Sequence, residues 1–190
     1  MKNNIAITII GIAMLSLSAC QKPAESLELS FNYTRQEGPG SNQYAAWVEN
    51  SEGQVVRTLY VTSFTAKGRA REGEELVRGY IKRPACVPTW VSRANADSIS
   101  DEEMDAITGA TPSSGIQTFV WDFTDQEGNT VADGSYKVFL EATLFNASTI
   151  LYSGEFRKGA APCEIALESA ITVEDESHAG MVADVKAALR

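Results

Sequence analysis

The amino-acid sequence predicts an all-β sandwich with short helical insertions. Three observations carry that expectation. About seven segments rich in β-branched and aromatic residues are separated by Gly, Asn and Asp turns. Strand-like and helix-like segments do not alternate regularly, which argues against a parallel α/β sheet. The 190 residues are 44% hydrophobic and 22% charged, enough for one core and too few for two ordinary domains.

Residues 1–19 read as a leader outside the fold. Lys2 supplies a positive start, and Ile5 to Leu17 is an apolar stretch too short to span a bilayer comfortably. It ends in Leu17-Ser18-Ala19-Cys20, which resembles a bacterial lipobox. The resemblance implies cleavage before Cys20 and lipid on that residue's sulfur and amino group. Gln21, standing where an Asp would signal inner-membrane retention, implies the outer membrane of a Gram-negative cell. Several acyl chains anchor a protein stably, whereas one binds only marginally. Residues 20–26 are then a lipidated tether, and the rest of the chain is periplasmic. The alternatives are an ordinary secretory signal or a core helix.

Leu27 to Tyr33 alternates apolar and polar residues at period two, which predicts a half-buried strand. Tyr44 to Glu49 is a second apolar run, joined through Ser51-Glu52-Gly53-Gln54 to Val55–Val61 as a hairpin in which Gly53 supplies positive φ. Trp47 is read as a core residue. Glu74 to Lys82 has a helical pattern that Pro84 stops, and Ser100 with Glu103 stands at capping-box spacing for a second helix. Strands return at Gln117–Phe123, Ser135–Phe145, Thr149–Phe156 and Ile165–Val173. Val182, Val185 and Leu189 share a helical face, so residues 174–190 are expected to form a C-terminal extension ending in a short helix. The sandwich domain is placed at residues 27–173.

The net charge is −9, and removing residues 1–19 takes away Lys2 and no acid. Such a balance argues against nucleic-acid binding, which needs surplus cations to neutralise phosphates. A single histidine, His178, argues against most metal sites and His-dependent hydrolysis. Ser113-Ser114-Gly115 is not a nucleophile elbow. With Cys20 taken by lipid, Cys86 and Cys163 remain as a pair in an oxidising compartment. A bridge between them is expected to stabilise the fold by about 4 kcal/mol. The alternative is two thiols too far apart to bond. Lys67, Arg69, Arg71, Arg78, Lys82, Arg83 and Arg93 concentrate positive charge between residues 67 and 93. That window reads either as a solvated helix face or as an anion site.

Two motifs carry more specific information. In Trp121–Tyr136 a strand ends, an Asp- and Gly-rich turn follows, and a second strand begins. The segment resembles the hairpin of the immunoglobulin-like domain in flagellar hook-capping proteins, which makes the sandwich immunoglobulin-like. Asp122, Asp125 and Asp133 are read as turn caps, with Trp121 and Tyr136 in the core. The alternative is a calcium site on the same three aspartates, although the loop lacks EF-hand spacing.

The second motif is Asp105-Ala106-Ile107-Thr108-Gly109-Ala110-Thr111. It resembles the flavinylation sequence Asp, two variable residues, Ser or Thr, Gly, Ala, Thr. The resemblance implies that a secreted flavin transferase splits FAD and joins FMN through its phosphate to Thr111. Asp105 and Thr108 become recognition residues, and Gly109 and Ala110 let the segment enter the transferase. An acceptor hydroxyl needs exposure and a small, permissive approach, and a Gly-Ala pair provides both. FMN phosphate stays anionic, so the basic window is expected near this loop.

In order and spacing, residues 27–173 resemble a family of predicted periplasmic proteins of unknown function. The leading expectation is an extracytoplasmic electron-transfer lipoprotein with covalent FMN, a redox carrier more than a stand-alone enzyme. Its implied partners are the flavin transferase, a membrane or periplasmic redox protein, and the membrane reached through the lipid anchor. The competing expectation is a non-catalytic immunoglobulin-like lipoprotein that binds another envelope protein.

Overall fold

The computed structural model describes residues 22–37, 42–67, 86–110, 112–145, 148–172 and 179–190. Strands β1 (Leu27–Tyr33), β2 (Tyr44–Asn50) and β3 (Val55–Thr62) come first, followed by a short helix α1 (Ser63–Lys67). Helices α2 (Pro88–Arg93) and α3 (Asp101–Ile107) precede the two-residue strand β4 (Thr108–Gly109) and then β5 (Gly115–Trp121). The chain continues through β6 (Gly134–Phe145), β7 (Ser148–Lys158), β8 (Cys163–Ile165), β9 (Glu168–Ile171) and β10 (Val182–Leu189).

These strands build a two-sheet β-sandwich, as the sequence predicts. One sheet has the order β5-β1-β10-β8 and the other β4-β3-β2-β6-β7-β9. Alternation decides which side chains meet between them. Leu27, Leu29, Phe31 and Tyr33 from β1 join Tyr44, Ala46 and Val48 from β2 and Val138, Leu140 and Ala142 from β6 in the main core. The apolar run of β2 is buried on both faces because the helices cover its outer side. There Ala45, Trp47 and Phe139 pack with Val87 and Trp90 near α2 and with Met104 and Ile107 of α3 in a second core. The Trp47 and Phe139 rings stack with centroids 4.9 Å apart.

Two buried carboxylates tie this second core together. Glu141 of β6 accepts hydrogen bonds from the Thr89 and Trp90 amides, at 3.1 and 3.0 Å, and so caps the first turn of α2 from another element. Glu49 accepts from Trp47 Nε1 at 2.7 Å and pairs with Arg93. The expected capping box is present: Glu103 N donates to Ser100 Oγ and Ser100 N to Glu103 Oε2. The β2–β3 turn uses Gly53 at φ 78°, as expected.

Three expectations need correction. The segment 165–173 is not one strand: β8 pairs with β10 in one sheet, and β9 pairs with β7 in the other. The crossing passes over Gly154, where a β-carbon would stand 2.6 Å from Leu167 Cδ2 and 2.8 Å from the Ala166 carbonyl oxygen. Only glycine admits that approach.

The C-terminal helix is also absent. Residues 182–189 form β10, an inner strand between β1 and β8, with Leu189 opposite Leu27. Val182, Val185 and Leu189 fit a helical face, but Ala187, Ala188 and Leu189 are consecutively buried, as suits a strand covered on both sides. A bulge opposite Ser30–Asn32, where Asp184 takes φ 53°, shifts the alternation that sequence inspection relies on. The boundary at residue 173 therefore cuts through the sandwich.

Finally, Cys86 and Cys163 are not bridged. Cys86 is buried just before α2, next in sequence to Val87 of the second core. Cys163 is exposed on β8, at the edge of the β5-β1-β10-β8 sheet. One thiol sits next to the helix-covered second core and the other on the outermost strand of the opposite sheet, and a disulfide needs Cα atoms within about 7 Å. The leader, Cys20 and the expected helix at 74–82 lie outside the described residues.

Candidate functional site

The segment 105–110 runs from the second core onto a sheet edge. Met104 and Ile107 anchor α3 in the second core, which leaves Asp105 and Ala106 exposed. Thr108 leaves the helix in extended conformation and pairs in parallel with Val61, and Gly109 pairs with Thr62. This makes β4 the edge of the six-stranded sheet. Ala110 is exposed. Thr111 lies outside the described residues, and the chain is described again from Pro112. It then enters β5, the edge of the opposite sheet, at Gly115 with φ 136°. The stretch between β4 and β5 thus crosses from one sheet to the other at one end of the sandwich.

Both described flanks of position 111 are held by the body of the protein. Tyr60 of β3 donates its hydroxyl to the Ala110 carbonyl at 2.7 Å. Its ring lies against Gly109, where an added β-carbon would stand 2.5 Å from Tyr60 Cε2. On the return side, the Arg35 amide donates to Ser114 Oγ at 2.9 Å. The sequence alone does not point to Tyr60 or Arg35 as holding this segment. The contacts depend on the parallel β3–β4 pairing and on the β1–β5 register, which sets Tyr33 opposite Gly115. Neither pairing leaves a local pattern.

Behind the segment stands an aromatic cluster. Tyr60 stacks on Tyr44 at 5.1 Å and leans on Phe119 at 5.2 Å, and Tyr44 meets Phe31 and Tyr33 at 5.3 and 5.5 Å. Tyr60 and Phe119 are half-buried, so their rings present an aromatic surface beside the crossing. Burial pushes the Tyr33, Tyr44 and Tyr60 phenols upward, and the Arg35 guanidinium partly offsets this at Tyr33. These phenols stay protonated at neutral pH and act as donors. Tyr44 Oη is buried without a hydrogen-bond partner among the described residues.

Of the basic window, only Arg93 has a described side chain. It pairs with Glu49 and lies 5.1 Å from the Phe139 ring centroid, lining a shallow groove with Lys137. Glu49 and Ala45 are about 13 Å apart along β2. Ala45 is opposite Val61, the partner of Thr108, so Arg93 serves the far end of that strand. Arg69, Arg71, Arg78, Lys82 and Arg83 lie outside the described residues.

At the opposite end, the Trp121–Tyr136 hairpin uses its aspartates as turn caps. Asp125 accepts from the Asn129 and Glu127 amides at 2.7 and 3.1 Å, and Asp122 accepts from the Thr124 amide and hydroxyl. These bonds hold both carboxyls below their ordinary range. Asp133 pairs with Lys158 at 2.6 Å. Trp121 and Tyr136 are buried together, 5.5 Å between centroids. Among the described residues, no His, Cys, Asp or Glu cluster has metal-binding geometry.

The family model described as Predicted periplasmic protein (DUF2271) matches residues 26–161. The chain belongs to this family. No curated protein and no solved structure matches it. Within DUF2271, the match spans the β2–β3 hairpin, the 105–111 segment and the Trp121–Tyr136 hairpin. It stops before β8, β9 and β10, which complete both sheets of this protein. Periplasmic placement follows from the family description.

Proposed function

We propose that this DUF2271 protein is a periplasmic electron carrier with FMN covalently attached to Thr111, serving a membrane-associated redox chain. The observation that carries the reading is where the Asp105–Thr111 sequence falls. It leaves a sheet edge through Gly109 and the exposed Ala110, so neither of the two preceding residues brings a bulky side chain to the acceptor. The half-buried rings of Tyr60 and Phe119 suit a planar aromatic group attached nearby.

In the attachment step, Thr111 Oγ forms a bond to the FMN phosphorus of FAD. The pyrophosphate P–O bond breaks, AMP leaves with that electron pair, and the hydroxyl proton passes to a base of the transferase. Asp105 and Thr108 are the recognition positions. The bound flavin supplies reversible electron transfer, while the protein fixes its place and surroundings. Lipid on Cys20 keeps the carrier at the membrane, with the outer membrane as its address.

The test is peptide mass spectrometry on protein produced with a flavin transferase in a periplasm. The reading expects FMN on Thr111 and none on the Thr111→Ala variant. An unmodified Thr111, or equal flavin in the variant, overturns it. A second reading, a module that binds another envelope protein, draws on Ile116 and Val120. These are 78% and 61% exposed on edge strand β5. Flavin absorbance that survives denaturation separates the two.

A further inference from the structure

We infer that Tyr60 is a positioning residue for flavin attachment, clamping the Gly109–Ala110 backbone so that the hydroxyl after it is presented to the transferase from a fixed base. This rests on the flavin-carrier reading and adds to it a residue outside the Asp105–Thr111 sequence. The clamp has two parts. The Tyr60 ring fills the space that a side chain at 109 would need, and its hydroxyl holds the Ala110 carbonyl at 2.7 Å.

The clamp is rigid because the ring is itself held. Tyr44 and Phe119 pack against it, and Tyr44 is fully buried between the sheets. A chain of contacts therefore runs from the core, through one ring, to the backbone just before the acceptor. A transferase meeting a segment already held in place loses less conformational freedom on binding it. The same clamp bears on which hydroxyl reacts. Thr108 is half-buried and paired with Val61 in the ladder, on the near side of the clamp. Thr111 follows the clamped residue in sequence.

The experiment compares the native chain with Tyr60→Phe, which removes only the hydroxyl, and Tyr60→Leu, which removes the ring face. Purified unloaded protein is given FAD and a flavin transferase. Loading kinetics and amide exchange of peptides spanning 105–115 are then measured. Tyr60→Phe is expected to keep the native unfolding midpoint and to load with kcat/KM lowered about three- to tenfold, mostly through KM, the range one hydrogen bond spans. Its 105–115 peptides exchange faster while other peptides do not. Tyr60→Leu exceeds both effects and lowers the fluorescence anisotropy of attached flavin. Native loading kinetics together with native exchange in Tyr60→Phe overturn the role of Tyr60 and leave the carrier reading standing. Failure of the native chain to load overturns the carrier reading, and the role of Tyr60 in attachment with it.

Discussion

The Tyr60 ring occupies the place where a side chain on residue 109 would begin: a β-carbon there would stand 2.5 Å from Tyr60 Cε2. Gly109→Ala therefore forces the ring out of its stack with Tyr44 and Phe119 or pushes β4 away from β3. Overpacking of this kind costs about 1–3 kcal/mol. Urea unfolding should show that loss, and flavin loading of the variant should fall. A variant of native stability that loads normally would mean the ring yields without consequence.

Much of the sandwich is legible in sequence because alternation is local. Leu27–Tyr33 shows its inward face residue by residue, and Gly53 marks its turn. What is not legible depends on distant partners. Residues 182–189 satisfy a helical pattern on paper, and only a free place between β1 and β8 makes them a strand. The candidate site divides the same way. Asp105–Thr111 is continuous in the chain and can be read directly, whereas Tyr60 reaches it from β3 across a fold-dependent pairing.

Burial raises the Glu141 carboxyl above its ordinary 4.5, against the lowering effect of the Trp90 and Thr89 hydrogen bonds. The folded state therefore keeps a proton that the unfolded chain has already released. The stability tied to that proton is complete below the unfolded value and declines as pH rises toward the raised folded value. Urea titrations across about pH 4 to 8 should show a decline in the native protein that Glu141→Gln lacks. Parallel pH profiles of the two would contradict it.

Glu49 is 2% exposed and holds both Trp47 Nε1 and Arg93. Glu49→Ala leaves a buried indole N–H without its acceptor and Arg93 without its carboxylate. A loss of about 2–4 kcal/mol is expected from chemical unfolding. Glu49→Gln keeps one acceptor and should lose less. Equal losses would show that charge, not hydrogen bonding, is what Glu49 provides.

The two thiols should behave differently because one is buried and the other exposed. Cys163 is exposed on β8 and should react at once with a thiol reagent in native, non-reducing buffer, whereas buried Cys86 should react only on unfolding. Mass spectrometry after labelling counts both. A reductant should leave the unfolding midpoint unchanged. A protein that takes up no label when denatured without reductant would instead carry the bridge.

The last strand should be indispensable although it lies beyond the family match. In β10, Val182, Ala187 and Leu189 enter the main core, and the strand pairs with β1 on one side and β8 on the other. A chain ended after Thr172 exposes the backbone edge of β1 and one side of the core together. Such a chain should show no cooperative unfolding and should aggregate through the uncovered edge. A milder probe is Leu189→Ala, at a position 1% exposed opposite Leu27, which should cost about 2–4 kcal/mol. Thermal and urea unfolding read both. If the truncated chain unfolds cooperatively at the native midpoint, β10 is an accessory and residues 27–173 are the complete domain. If only the truncation fails while Leu189→Ala is neutral, strand pairing and not core packing is what β10 contributes.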